Sequence, residues 1–242
     1  MEAYLDNSAT TRVDAQVQEL MKKLMDVDFG NPSSRHQKGV VAEGYIKEAR
    51  QKIAATLKVD PKELIITSGG TESNNMALIG TALAAKRKGN HIITTAVEHP
   101  SVKATASFLE EQGFSITFLS VDSRGQISLE DLKEALTPDT ILVSIMYVNN
   151  EIGTIQPVEE AAKLVHATVP GAVFHVDAIQ AYGKVMIRPK QQGIDLLSVS
   201  SHKFHGPKGA GFLYCSSKVN LHPIIFGGGQ QSGMRSGTEN VP

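Results

Sequence analysis

Seven short apolar runs divide the chain, at 64–67, 91–96, 115–119, 141–148, 172–177, 194–200 and 210–215. Val, Ile, Leu and Phe dominate them, and each has the length of a strand buried on both faces. Segments of helical period stand between them, at 36–57, 72–87, 101–112, 129–136 and 158–166. In the first of these, Val41, Tyr45, Ala49, Ile53 and Leu57 form one apolar stripe. Segment 72–87 is apolar almost all round (Met76, Leu78, Ile79, Leu83), which predicts a deeply packed helix. Strands alternating with helices predict an α/β fold, a mostly parallel sheet with helices on both faces. The last two runs are joined by "SHKFHGPKG" (201–209), too short for a parallel crossover. The final strand is therefore expected to be antiparallel to its neighbour or at an edge.

With 242 residues, 41% of them hydrophobic, the chain can bury a substantial core. A net charge of −1 offers no bulk electrostatic reason to expect nucleic acid or an anionic membrane as partner. The single cysteine, Cys215, leaves no internal disulfide and no Cys-rich zinc site, and fits a reducing, cytoplasmic setting. The start "MEAYLD" does not read as a signal peptide, and no run of 18 apolar residues suggests a membrane span.

In open α/β sheets ligands gather beyond the carboxyl ends of the strands. There the sequence places "SGGTESNN" (68–75), whose Gly70 and Thr71 read either as a plain strand–turn–helix or as a phosphate cup at a helix N-terminus. It is neither a dinucleotide nor a P-loop fingerprint. His99 follows the second run and reads alone as a turn histidine; Asn149 and Asn150 follow the fourth as cap or ligand amides. Asp177 ends the apolar "AVFHVD", where a carboxylate needs a cation or strong donor, and Gln180 follows it. Lys203 ends the next run. The Gly-rich stretch 226–240, with Arg235 and Thr238, reads as a surface loop or an anion-binding one. His175, His202, His205, Asp177 and Cys215 lack the spacing of a metal site.

A phosphate cup, a buried carboxylate and a lysine on one rim are what pyridoxal 5'-phosphate requires. Its ring nitrogen wants an anion, and its aldehyde wants a partly desolvated amine. In that arrangement His99 is expected against the ring face, with Gln180 and Asn150 near its oxygen side.

The chain resembles the cysteine desulfurases, the NifS/IscS-like group of the class V aminotransferase family. The resemblance is collinear through "YLDNSATT" (4–11), "GNPSSRH" (30–36), "TSGGTESNN" (67–75), "EHPSV" (98–102), "VNNEIGTIQP" (148–157), "HVDAIQAYGK" (175–184), "SSHKFHGPKG" (200–209) and "SGMRSGTEN" (232–240). It implies the fold type I large domain with a mixed, mainly parallel seven-stranded sheet, and a homodimer. By motif position, Lys203 is implied as the Schiff-base lysine and Asp177 as the pyridinium partner. His99 is implied as the stacking and acid/base histidine. Gly70, Thr71, Ser200 and His202 are implied as phosphate ligands, Gln180 and Asn150 as contacts on the oxygen side, and Thr238 as a phosphate contact from the other subunit.

The implied reaction converts L-cysteine to L-alanine and passes sulfur, as an enzyme persulfide, to an acceptor such as an Fe–S scaffold or to tRNA thiolation. Within the same resemblance, a selenocysteine lyase or a non-catalytic partner protein are the alternatives. The family's sulfur-carrying cysteine and substrate arginine lie beyond the "SGT" motif, and this chain ends at Pro242 just after it. The expectation is therefore a chain lacking most of a small C-terminal domain, with 1–14 packing against that domain and 15–242 forming the cofactor-binding one. Alone, such a chain is expected to bind cofactor weakly or not at all and to be inactive, with Cys215 a strand residue rather than the carrier.

Overall fold

The computed structural model describes residues 3–242; Met1 and Glu2, part of the expected 1–14 segment, lie outside the described residues. Seven strands form one sheet: β1 (Leu64–Thr67), β2 (His91–Thr95), β3 (Ser115–Leu119), β4 (Thr140–Met146), β5 (Val173–Asp177), β6 (Leu196–Ser200) and β7 (Gly211–Cys215). Their order is β1-β7-β6-β5-β4-β2-β3. The pairs among β3, β2, β4, β5 and β6 are parallel, and β7 is antiparallel to both β6 and β1. The expected reversal of the last strand is present. Its place is interior, however, with β1 and β3 at the edges, because β7 turns back between β6 and β1.

The helices are α1 (Ala15–Asp26), α2 (Gln37–Leu57), α3 (Gly70–Ala85), α4 (Pro100–Glu111), α5 (Leu129–Ala135), α6 (Val158–Thr168) and the short α7 (Pro189–Gln192). One apolar core packs α5 and α6 (Leu132, Val165) against Val143, Phe174 and Leu197 of the sheet. A second packs α3 and α4 (Met76, Leu78, Leu109) against Ile92, Leu142 and Leu196. Both faces of the sheet are thus covered, which is why its strands read as continuous apolar runs.

Helix α3 is buried along most of its length, as its sequence predicts. In α2 the expected stripe is displaced. Leu57 is buried, but Ala49 is exposed, and Gly39, Ala42 and Ala54 are the other buried residues. Small residues let that helix approach its neighbours, a signal that a stripe of large side chains does not carry. No helix among the described residues is long and apolar enough to cross a membrane.

Candidate active site

The carboxyl ends of β1, β2, β4, β5 and β6 open onto one cavity of about 480 Å³, a volume within the range of small-molecule sites. Gly70, Thr71, His99, Asn150, Asp177, Gln180, Ser200, His202 and Lys203 all line it. Parallel strands put their ends on one rim, so residues over a hundred positions apart meet there. Thr238 does not join them; it lines a separate depression with Leu24, Phe29 and Asn31.

The turn from β1 into α3 is made by Gly69 at φ 146°, a backbone conformation that side chains rarely adopt. No side chain caps α3. Its first-turn N–H groups at Gly70 and Thr71 therefore border the cavity as an anion cup. The Ile179 side chain fills the space beside Gly70, where a Cβ would lie 2.0 Å from Ile179 Cδ1 and would have to push that side chain aside. Ser200, buried, and His202, half-buried, complete that side.

Asp177 ends β5 and is 4% exposed. Ile179 N donates to its Oδ1 at 3.0 Å and Asn74 Nδ2 to its Oδ2 at 2.8 Å. Burial pushes its pKa up, opposed by those donors and by the nearby His99 and Lys203. Lys203 follows β6, half-buried, and its Nζ donates to the carbonyls of Ser8 at 2.5 Å and Ala9 at 2.8 Å. Burial and then Lys184 lower its pKa, against Asp6 and Asp177. Residues 8–11 are laid over this end of the sheet: Gln180 Nε2 donates to Ser8 O at 2.8 Å, and Thr11 N to His202 O at 2.8 Å.

Two buried titratable groups support the floor. Glu98 Oε1 accepts from Thr95 Oγ1 at 2.9 Å and Met146 N at 2.7 Å, while its Oε2 has no partner. Burial and the neighbouring Asp177 push Glu98 up to about 8, so it is neutral at pH 7. His175 lies between Ser144 Oγ at 2.8 Å and Ser198 Oγ at 2.9 Å, and burial lowers it to about 3.

Cys215 lies at the far end of β7, away from the cavity, and burial pushes its thiol up to about 12. Such a thiol is a poor nucleophile. Glu98, Asn74, Ser101 and Ser8 have roles in the site that the sequence does not announce. They occur inside the quoted motifs, but nothing in their spacing distinguishes them from capping or turn residues.

A cofactor of the pyridoxal phosphate type suits this arrangement. An uncapped helix start, a buried carboxyl group held by Asn74 and the Ile179 N–H, and a lysine of lowered basicity converge on one cavity.

Residues 3–242 match the family model described as Aminotransferase class-V. Cysteine desulfurase IscS of Dictyoglomus turgidum is 50% identical over 99% of this chain and 60% of its own length. A solved NifS-like protein superposes with a TM-score of 0.97 at 44% identity, covering 100% of this chain and 66% of its own. SspA in complex with cysteine superposes at 0.95 and 40% identity, covering 99% of this chain and 69% of its own. The chain thus spans about 60% of the length of the curated relatives it matches.

Proposed function

The chain belongs to the class-V aminotransferase family, whose cysteine desulfurases depend on pyridoxal phosphate, and from that premise we propose that it carries the cofactor-binding and Cα chemistry of a cysteine desulfurase. The observation that carries the reading is the convergence of the α3 N-terminus, Asp177 and Lys203 on one cavity.

Gly70, Thr71, Ser200 and His202 would hold the cofactor's phosphate, with Thr238 of a second copy completing the set in a homodimer. Asp177 would face its ring nitrogen, His99 its ring face, Gln180 and Asn150 its oxygen side, and Lys203 its aldehyde. When bound, the cofactor supplies an electron sink for negative charge at the substrate's Cα. Burial raises the pKa of Asp177, so a cation facing its carboxyl group strongly favours the ionised form. Lys203 has a lowered proton affinity, which makes its Nζ both a better nucleophile and a group able to take up and return a proton. To act, Nζ must leave the Ser8 and Ala9 carbonyls. L-Cysteine is the proposed substrate, supported by the cysteine bound to SspA. An Fe–S scaffold or tRNA thiolation system is the proposed sulfur acceptor, in the cytoplasm. Residues 1–14 are proposed to pack against a further small domain and 15–242 to form the cofactor-binding one.

Cys215 is not proposed as the sulfur carrier, since it lies away from the cavity with a raised pKa. The test is to incubate this chain with excess pyridoxal phosphate, reduce with borohydride and map the adduct. A phosphopyridoxyl group on Lys203, absent from Lys203→Arg, is expected. Labelling spread over Lys184 and Lys208 instead would overturn the site. Steady alanine release from cysteine by this chain would overturn the exclusion of Cys215.

A further inference from the structure

We propose that Asn74 and Ser101 are positioning residues that lock the His99 ring with its proton on Nε2, through a hydrogen-bond chain that begins at Asp177. The catalytic meaning of this arrangement rests on the function proposed above. The arrangement itself rests only on side chains of this protein.

The chain of bonds is short, and with Asp177 ionised each direction follows from the one before. Asn74 Nδ2 lies 2.8 Å from Asp177 Oδ2 and 2.9 Å from Ser101 Oγ. An amide nitrogen only donates, so both of its hydrogens are used and the Ser101 hydroxyl oxygen is an acceptor there. The hydroxyl's own hydrogen is then free for His99 Nδ1, 2.8 Å away. The Ser101 backbone N–H points at the same Nδ1, at 3.1 Å, because His99 is the N-cap of α4. A ring nitrogen that receives two donors has no room for a proton of its own. The neutral imidazole must therefore carry it on Nε2.

The orientation of the Asn74 amide decides the rest. Turned over, its oxygen would face the oxygen of an ionised Asp177 carboxylate at hydrogen-bond distance, two acceptors in contact. In the orientation present, Asn74 Oδ1 is left buried without a partner. Unpaired buried acceptors are uncommon in folded proteins and cost free energy. Here that cost accompanies a placement in which both donors are used, one on Asp177 and one on Ser101. Asn74 is fully buried and Ser101 is 8% exposed, so water does not compete for either bond.

Nε2 is the nitrogen left for the cavity that His99 lines, and it has no hydrogen-bond partner among the described residues. With the lock in place it presents an N–H. His99, implied by the resemblance as an acid/base group, then presents Nε2 as a hydrogen-bond donor and acid rather than as a base, and the role of proton acceptor falls to Lys203. The same chain makes His99 sensitive to Asp177. Whatever neutralises that carboxylate removes the reason for the Asn74 orientation, and with it the lock.

The test reads the ring nitrogens directly, in this chain without cofactor. The protein is labelled with ¹⁵N-histidine and two-bond ¹⁵N–¹H correlations are recorded well above the usual histidine range. Among the eight histidines, His99 is assigned by the signals lost in His99→Gln. Wild type is expected to show Nδ1 at the unprotonated position and Nε2 at the protonated one. Ser101→Ala is expected to shift both toward the averaged positions of mixed tautomers, and Ser101→Thr, which keeps the hydroxyl, to retain the wild-type pattern. A protonated Nδ1 in wild type overturns the proposal, and so does an unchanged pattern in Ser101→Ala. Should that variant not fold, Asn74→Ala removes the donor that orients the hydroxyl; an averaged pattern there supports the lock and a wild-type pattern overturns it. Because no cofactor is present, a failure of Lys203 to take the adduct and a failure of the lock are separate results.

Discussion

Asp177 and Lys203 share the cavity without an ion pair between them, each answering to its own surroundings. The carboxylate is oriented by Ile179 N and Asn74, and the amine by two backbone carbonyls. Keeping opposite charges apart leaves each available to a ligand. Asp177→Asn is therefore expected to weaken pyridoxal phosphate binding by about tenfold or more, since a buried charge facing a cation is lost. The melting temperature without cofactor should change little, because a costly buried charge is removed with it. Absorbance titration and thermal unfolding measure the two effects, and equal affinity in both proteins would remove Asp177 from the site. Seven of the proposed site residues, Gly70, Thr71, His99, Asn150, Asp177, Gln180 and Lys203, are legible because each ends or follows a strand, where chemistry collects in this architecture, whereas Ser200 and His202 enter only through the resemblance. Asn74 and Ser101 are not legible. Each sits inside a helix start, where polar residues cap as a matter of course, and only the packing of α3 against α4 makes them neighbours.

At the scale of elements, the site depends on two glycines that let backbones touch. A Cβ on Gly211 would lie 2.5 Å from Val199 O and 2.7 Å from Gly69 Cα. Strand β7 thus starts against the very turn that opens α3. Neither neighbour is a flexible side chain that can move aside. Gly211→Ala is expected to cost roughly 1–3 kcal/mol of stability and to displace the β1–α3 turn. Urea unfolding measures the first and cofactor affinity the second; unchanged values for both would mean the turn is more yielding than its contacts indicate. The strands and five of the helices were readable from period and composition, because burial on one or both faces imprints a repeat. Helix α1 lies outside the segments read as helical, although Val17, Leu20, Met21, Leu24 and Met25 recur at helical spacing; the fold buries only Leu24 of that stripe and leaves Leu20 and Met25 exposed.

At the scale of the molecule, the two buried titratable groups under the cavity shape stability against pH. Glu98 is raised from 4.5 to about 8, so its contribution is complete below pH 4.5 and is lost as pH rises through 8. His175 is lowered from 6.5 to about 3, so its contribution is complete above pH 6.5 and is lost as pH falls toward 3. Between 4.5 and 6.5 the two slopes oppose each other, and above 6.5 only Glu98 of the two still contributes a slope. Stability is expected to fall by on the order of 1–2 kcal/mol between pH 6.5 and 8 through this group. Glu98→Gln, which cannot ionise, should flatten that fall in denaturant midpoints measured across the range. An equal decline in both proteins would show Glu98 to be ionised already or solvated.

What the sequence determined by itself was the class of fold and the cast of the site. Strands of apolar residues alternating with helices admit few topologies, and a lysine, a carboxylate and a glycine turn at strand ends admit few chemistries. Tertiary structure alone decided that β7 lies inside the sheet, that residues 8–11 hold the Lys203 amine, that Thr238 lies outside this chain's cavity, and that Asp177 reaches His99 through Asn74 and Ser101. Those are matters of distance between groups far apart in the chain. Hydrogen bonds and charge shifts act only within a few ångströms, and only the packed fold sets which groups come that close.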